Sequence, residues 1–241
     1  METVVWISGA TQGLGLGFAR NVPYTNARII SLSRRSHPDF ETVHFDLTDP
    51  FSWDAVSEHF ESVLRDFQGK RAIFIQNAYS PGPSGITGEV PTNLYRASLS
   101  ANFVGPLAVG EAFIRAVRPG YEAGLVMLSS HGVLNAFEGY AAYSSAKAGI
   151  EQWVRTVHAE RQWRNQGPWV VGVRPGFIDT ATTRAEALGD PNQVRIVPQL
   201  KRGIEVKEAL DIDTAARAIW EALPPPKGEP ILTFGDQPSG S

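Results

Sequence analysis

The sequence predicts a single α/β domain in which helices cover both faces of a parallel sheet, the doubly wound arrangement. Short runs of apolar residues alternate along the 241-residue chain with longer segments of helical periodicity. The runs are apolar throughout, which is typical of strands that are buried on both faces. No shift in composition divides the chain, so we expect residues 1–241 to form one domain.

Seven runs predict strands, and the segments between them are long enough to be the crossovers of a parallel sheet. The predicted strands cover residues 4–7, 29–32, 43–45, 72–75, 125–128, 170–173 and 231–234. The predicted helices cover residues 14–22, 51–67, 91–117, 140–166, 206–210 and 214–223. Residues 176–203 lack a clear period and predict a substrate loop, while residues 235–241 predict a short disordered tail.

The composition argues against several classes of function. Lys and Arg number 22 against 25 Asp and Glu, so we expect no nucleic acid and no anionic membrane as a partner. The absence of cysteine excludes disulfides and thiol nucleophiles. The acidic residues lack metal-ligand spacing, so we expect no metal. With no signal sequence and no apolar run of about 18 residues, we expect a cytoplasmic protein.

A glycine-rich loop follows the first predicted strand and opens the first helix. It contains Gly9, Thr11, Gln12, Gly13, Leu14 and Gly15. Glycines at this place let the backbone turn sharply and approach a pyrophosphate, which then meets the positive end of the helix. The loop therefore predicts a dinucleotide site, and a glycine turn without a ligand is the alternative.

The second predicted strand leads into Ser33, Arg34 and Arg35. An acidic residue commonly binds the adenosine ribose about 20 residues beyond the glycines, but here a serine and two arginines follow. Guanidinium groups bind phosphate, so this segment favours NADP over NAD, with Arg34 as the main contact. The alternative is a solvated pair of arginines at the end of a strand.

Tyr143 and Lys147 are four residues apart and share one face of a predicted helix. A tyrosine has an ordinary pKa of about 10, so acid–base work near neutral pH requires a cation that lowers it. Ser130 ends the preceding strand, where its hydroxyl can hold a substrate carbonyl beside the phenol. The three side chains together predict carbonyl chemistry, whereas a Tyr–Lys pair alone also occurs by chance.

With these residues together, the chain resembles the short-chain dehydrogenase/reductase family over nearly its whole length, with some likeness to the sepiapterin and benzil reductase group. Beyond the glycine loop, the matching positions are Asp46-Leu47, Asn77-Ala78, Asn102, Ser130, Tyr143, Lys147, Pro175-Gly176 and Thr180. The resemblance implies a Rossmann-type fold, an NADP cofactor and a homodimer or homotetramer. It implies that Tyr143 is the general acid/base and that Ser130 orients the carbonyl. Lys147 would bind the nicotinamide ribose and lower the pKa of the tyrosine, and Asn102 would support a proton-relay water.

The resemblance also assigns the cofactor contacts. Asp46 and Leu47 would flank the adenine, and Asn77 and Ala78 its ribose. The nicotinamide and phosphate contacts would come from Pro175, Gly176, Ile178 and Thr180. Two positions depart from the family pattern, since Gln12 stands where a basic residue is frequent and Tyr79 stands where glycine is common.

Aromatic and apolar residues near the expected nicotinamide end predict a substrate of modest size that is partly apolar. The candidates for substrate contact are Tyr79, His131, Leu134, Phe137 and Phe177. The sequence thus predicts an NADPH-dependent oxidoreductase that reduces a ketone, aldehyde or dicarbonyl. The alternatives are a non-catalytic NADP-binding sensor and a dehydratase or epimerase on the same scaffold.

Overall fold

A computed structural model describes residues 2–236 and contains one sheet of seven strands, all parallel to their neighbours. The strands are β1 (Thr3–Ser8), β2 (Arg28–Ser33), β3 (Glu41–His44), β4 (Arg71–Gln76), β5 (Glu122–Leu128), β6 (Trp169–Arg174) and β7 (Ile231–Thr233). Their order across the sheet is β3-β2-β1-β4-β5-β6-β7. The predicted seven-stranded doubly wound sheet is confirmed.

The α-helices alternate with the strands along the chain. They are α1 (Gly13–Arg20), α2 (Pro50–Leu64), α3 (Thr92–Leu99), α4 (Gly105–Ala116), α5 (Ala141–Arg164), α6 (Ala181–Glu186), α7 (Val197–Glu205) and α8 (Ile212–Glu221). Asp49 caps α2 by accepting a hydrogen bond from the Phe51 N–H, and Asp211 caps α8 in the same way. These caps explain why both helices begin just after an aspartate.

Each face of the sheet carries its own hydrophobic core, as β1 illustrates. Val4 and Trp6 are fully buried in the core formed with α2, α4 and α5. Val5 and Ile7 are fully buried in the core formed with α1 and α8. Successive side chains of a strand point to opposite faces, so an uninterrupted apolar run requires helices on both sides.

The predicted helix over residues 91–117 forms as one helical run that contains a π-helical turn at Ser100–Val104, between α3 and α4. Pro106 lies in the first turn of α4 and has no N–H to donate to the carbonyl four residues earlier. The loss of that hydrogen bond accounts for the irregular turn immediately before it.

The run Thr92–Ala116 is the one part of the described chain with the length and mean hydropathy, 1.2, that a membrane span can have. Half of its most apolar window is buried inside the protein. Val109 and Phe113 of α4 belong to the core and are fully buried. The apolar character of this run is therefore used in packing against the sheet.

In the C-terminal third the structure corrects one expected helix and describes parts of the expected loop and tail. The predicted helix over 206–210 is wrong, because Lys207 adopts a left-handed φ of +59° just after α7. The expected loop at 176–203 contains α6 and the start of α7, where Val197 and Leu200 are buried. In the expected tail, Asp236 accepts a hydrogen bond from the Phe177 N–H, at 3.2 Å, and residues 237–241 lie outside the described chain.

Candidate active site

A cleft with a volume of about 450 Å³ opens at the carboxyl ends of the central strands. It lies where the strand order reverses, because β1 has β2 on one side and β4 on the other. Ligands of doubly wound sheets bind at such a switch point, and ligand sites commonly measure about 300–1,000 Å³. Most of the predicted cofactor residues line this cleft: Gly9, Thr11, Gln12, Gly13, Leu14, Ser33, Arg34, Arg35, Asp46, Leu47, Asn77, Ala78, Pro175, Gly176, Ile178 and Thr180.

The glycine loop has the conformation that its sequence predicts. Gly9 and Gly13 have φ values of +71° and +54°, a region that side chains rarely tolerate. Gly15 lies behind the loop, where a Cβ atom would collide with the Gly9 carbonyl oxygen. Gln12, at the start of α1, makes no side-chain capping bond, so the first N–H groups of α1 are available for an anion. This cradle fits a dinucleotide pyrophosphate.

The two arginines lie at the outer end of the cleft, beyond the glycine loop. Arg35 Nη2 donates to Gln12 Oε1 at 2.6 Å, while Arg34 Nη1 is 4.0 Å from Asp46 Oδ2. Ser33 is buried, and its hydroxyl donates to the Arg35 carbonyl at 2.6 Å. The Arg34 side chain is 73% exposed and has the freedom to meet a phosphate.

Ser8 fixes the exit of β4 beside the glycine loop. Its Oγ accepts hydrogen bonds from the N–H groups of Asn77 and Ala78, both at 2.8 Å. Asn77 Nδ2 in turn donates to the Ser8 carbonyl at 3.0 Å. These bonds hold the ends of β1 and β4 together, so Asn77 and Ala78 form one wall of the cleft.

Ser130, Tyr143 and Lys147 come together at the inner end of the cleft. Ser130 Oγ accepts from the Gly132 N–H at 3.1 Å, which positions it at the turn after β5. Lys147 Nζ donates to the Leu128 carbonyl at 2.7 Å and lies 5.8 Å from the centre of the Tyr143 ring. Because β5 ends against α5, a residue of the turn after β5 and two residues of α5 share one space.

The buried position of these groups decides their charge. Burial raises the pKa of Tyr143 to about 12, although the Ser130 hydroxyl acts to lower it. Burial lowers the pKa of Lys147 to about 8. Burial has the largest effect on the pKa of Tyr143 in the chain by itself, and the lowering expected from Lys147 stays a prediction. Tyr143 is therefore a protonated acid at neutral pH.

Asn102 lies behind the cleft wall instead of lining it. Its Oδ1 accepts from the Ser80 N–H at 2.8 Å, and its Nδ2 donates to the Ser80 carbonyl at 2.9 Å. Nδ2 also reaches the hydroxyl of Ser98 at 3.2 Å. The amide is fully used by protein groups, so Asn102 holds the segment after β4 in place.

The predicted substrate residues divide into two groups. Tyr79, Phe137 and Phe177 line the cleft, and the Tyr79 and Tyr143 ring centroids are 5.9 Å apart. His131 and Leu134 do not line it, which corrects the expectation for both. The chain turns into a short 3₁₀ helix after Ser130, so that His131 is buried near Arg174 and Leu134 is 58% exposed.

Sequence reasoning missed several residues on the substrate side of the cleft. They are Ser80, Tyr140, Thr182, Thr183, Glu186, Ile196 and Leu200. Tyr140 precedes Tyr143 by three residues, a spacing that could have pointed to it. The others come from α6, α7 and loops without a clear period, so no sequence signal singles them out.

Comparisons with known proteins show which family and which fold this chain shares. The sequence profile of the short chain dehydrogenase family matches residues 3–190. A benzil reductase ((S)-benzoin forming) of Bacillus cereus is 22% identical over 242 residues, which cover 94% of this chain and 97% of that protein.

Two solved structures share the fold. A short chain dehydrogenase from Burkholderia cenocepacia in complex with NADP has a TM-score of 0.72 at 21% identity, covering 96% of this chain and 87% of that one. Carveol dehydrogenase from Mycobacterium avium in complex with NAD has a TM-score of 0.76 at 19% identity, covering 97% and 96%. These two proteins of similar fold thus hold different dinucleotides. Since the family profile covers most of the chain, this protein belongs to the short chain dehydrogenase family of NAD(P)-dependent oxidoreductases.

Proposed function

We propose that this protein is an NADPH-dependent carbonyl reductase that converts a ketone, aldehyde or dicarbonyl to an alcohol. The observation that carries the proposal is the meeting of Ser130, Tyr143 and Lys147 at the inner end of the dinucleotide cleft. A protein that only sensed its cofactor would need the glycine loop but not a protonated phenol beside a serine hydroxyl. The intact triad therefore favours catalysis over sensing.

The chain supplies proton transfer and orientation. When bound, NADPH supplies the hydride that reduces the carbonyl carbon. Ser130 donates a hydrogen bond to the carbonyl oxygen, and the Tyr143 hydroxyl transfers its proton to that oxygen. A tyrosine pKa of about 12 keeps this proton in place at neutral pH, which suits reduction. The Lys147 ammonium stabilises the phenolate that remains after the transfer.

The preference for NADPH rests on the residues at the outer end of the cleft. Arg34 and Arg35 both line it, and Ser33 provides no carboxylate that would repel a 2′-phosphate. Arg34 also lies near Asp46, but its guanidinium is exposed and the distance of 4.0 Å leaves donors free. A 2′-phosphate can therefore accept charge-assisted hydrogen bonds here.

The proposal is tested by following the absorbance of NADPH in the presence of a panel of ketones, aldehydes and dicarbonyls. We expect steady oxidation of NADPH with partly apolar or aromatic members and slower oxidation of NADH. Tight binding of NADPH without turnover of any member would favour a cofactor sensor. Release of water or inversion of a stereocentre without net NADPH consumption would favour a dehydratase or epimerase.

A further inference from the structure

Three tyrosine rings form a continuous wall on the substrate side of the cleft. Tyr79 and Tyr140 both lie next to Tyr143, with ring centroids 5.9 and 6.1 Å from its own. All three residues line the cleft. We call this set, Tyr79, Tyr140 and Tyr143, the tyrosine wall. The electron-rich faces of such rings attract cations.

Glu186, the last residue of α6, lines the same space. Its carboxylate makes the pKa of each tyrosine in the wall higher, in addition to the larger effect of burial. The carboxylate and all three phenols line the same cleft, so the carboxylate lies close enough to each phenol to act on it. The negative charge and the tyrosine wall therefore bound one compartment.

Glu186 has no ion-pair or hydrogen-bond partner for its side chain among residues 2–236. The two arginines closest to it along the chain are occupied, since Arg184 pairs with Asp179 at 2.6 Å and Arg195 with Glu138 at 3.2 Å. Burial raises the pKa of Glu186 to about 7, because nothing nearby compensates its charge. A partly buried carboxylate without a cation is costly, and the cost is relieved when the group takes up a proton or pairs with a cationic ligand.

We propose that Glu186 and the tyrosine wall form a subsite for a protonated amine, so that the preferred substrates are amino ketones or amino aldehydes. This proposal rests on the proposed carbonyl reduction and specifies its substrate class. An ammonium group would pair with the carboxylate and contact the ring faces of Tyr79 and Tyr140 at once. The carbonyl of the same molecule would then lie toward Ser130 and Tyr143.

Matched pairs of ketones test the subsite. In each pair one ketone carries a dimethylamino group and the other the isosteric CH(CH₃)₂ group, as in 4-(dimethylamino)butan-2-one and 5-methylhexan-2-one. One to three methylenes separate the carbonyl from this group across the series. For the best spacer we expect kcat/KM to favour the amine by about tenfold or more at pH 7, the scale of one charge-assisted hydrogen bond.

The variant Glu186→Gln keeps the shape of the side chain and removes its charge. We expect its ratio of kcat/KM for the amino ketone to kcat/KM for the neutral ketone to fall to about 1. Glu138→Gln is the matched control, because Glu138 lies outside the cleft, and its ratio should remain that of the wild type. A wild-type preference for the neutral ketones, or an unchanged ratio in Glu186→Gln, would overturn the subsite while leaving carbonyl reduction intact.

Binding of the amino alcohol 4-(dimethylamino)butan-2-ol, measured by calorimetry, tests the subsite without turnover. We expect its Kd to rise about tenfold or more in Glu186→Gln and to stay unchanged in Glu138→Gln. Equal affinity of the wild type and Glu186→Gln would overturn the subsite even if no ketone were reduced. A lack of turnover together with the expected change in Kd would instead refute carbonyl reduction and support the subsite.

Discussion

Arg34 is the residue that we expect to read the 2′-phosphate of the cofactor. One charge-assisted hydrogen bond contributes about 1.5–3 kcal/mol, which corresponds to roughly 10- to 150-fold in affinity. Arg34→Ala should therefore lower the NADPH-to-NADH ratio of kcat/KM by at least about tenfold. Arg35→Ala should have a smaller effect, because its guanidinium is held by Gln12 at 2.6 Å. An unchanged ratio in Arg34→Ala would show that the phosphate is recognised elsewhere.

Gly15 is required by the close packing behind the glycine loop. A methyl group there would meet the Gly9 carbonyl and, at 2.7 Å, Asn77 Nδ2. Gly15→Ala should thus lower the free energy of unfolding by about 1–3 kcal/mol and weaken NADPH binding. The control is Gly110→Ala in α4, whose methyl group would have only ordinary contacts of 3.4–3.5 Å with side chains.

Gly110→Ala should leave NADPH affinity unchanged and should stabilise by up to about 1 kcal/mol, since alanine is the better helix former. Chemical denaturation and a fluorescence titration with NADPH measure both quantities. Equal stability and affinity in the two variants would contradict the packing argument.

Glu151 joins the turn that carries Ser130 to the helix that carries Tyr143. It is fully buried on α5, accepts from Ser129 Oγ at 2.7 Å, and pairs with Arg174 of β6 at 2.6 Å. Removing one partner of a buried pair costs about 3–5 kcal/mol. Glu151→Gln should accordingly lower the Tm by several degrees at neutral pH.

The stability contributed by Glu151 should depend on pH. Burial acts to raise the pKa of Glu151, but bonds from Arg174 and Ser129 hold it below the ordinary 4.5. The contribution is then complete above pH 4.5 and is lost as the pH falls through the lower, folded-state value. In thermal unfolding, the difference in Tm between wild type and Glu151→Gln should become smaller as the pH falls below 4.5. A difference in Tm that grew in acid would refute the stabilising role of the Glu151 carboxylate.

At the scale of elements, the π-helical turn at Ser100–Val104 positions one wall of the cleft. Asn102 lies within it and holds both backbone groups of Ser80. Asn102→Asp keeps the acceptor for the Ser80 N–H but sets a carboxylate oxygen against the Ser80 carbonyl. We expect a loss of about 2 kcal/mol or more in unfolding free energy, together with a lower kcat/KM.

Asn93→Asp provides the control for Asn102→Asp, because Asn93 is exposed in the first turn of α3, where a negative charge is favourable. Urea denaturation should give a lower free energy of unfolding for Asn102→Asp than for Asn93→Asp. If Asn93→Asp were as destabilising as Asn102→Asp, the hydrogen bonds to Ser80 would not be the cause.

Elements with a strong hydrophobic pattern could be predicted from the sequence, and elements without such a pattern could not. All seven strands were predicted within a few residues, because buried parallel strands are apolar along their whole length. Helix α7 was missed, although Val197 and Leu200 bury one of its faces. Its polar residues dominate the segment, and the apolar Val206, which suggested a helix farther on, is exposed in the following turn.

At the scale of the whole molecule, the order of the strands creates the cleft. Strands β2 and β3 lie successively on one side of β1, and β4 lies next to β1 on its other side. The residues that follow β1, β4 and β5 therefore meet at one edge, which is why their motifs could be assigned to a common site. Glu186 could not be assigned, because its position depends on how α6 packs over this edge.

Proton donation by Tyr143 in an NADPH-dependent reduction is the step on which the proposed function depends. Its most direct test compares wild type and Tyr143→Phe, measuring kcat with the best carbonyl of the panel and the Kd of NADPH in the same preparations. Removal of one hydroxyl leaves the ring and the cleft in place, so the Kd should remain within about threefold while kcat falls by at least about 10²-fold. Retention of most of the kcat by Tyr143→Phe would show that Tyr143 is not the proton donor.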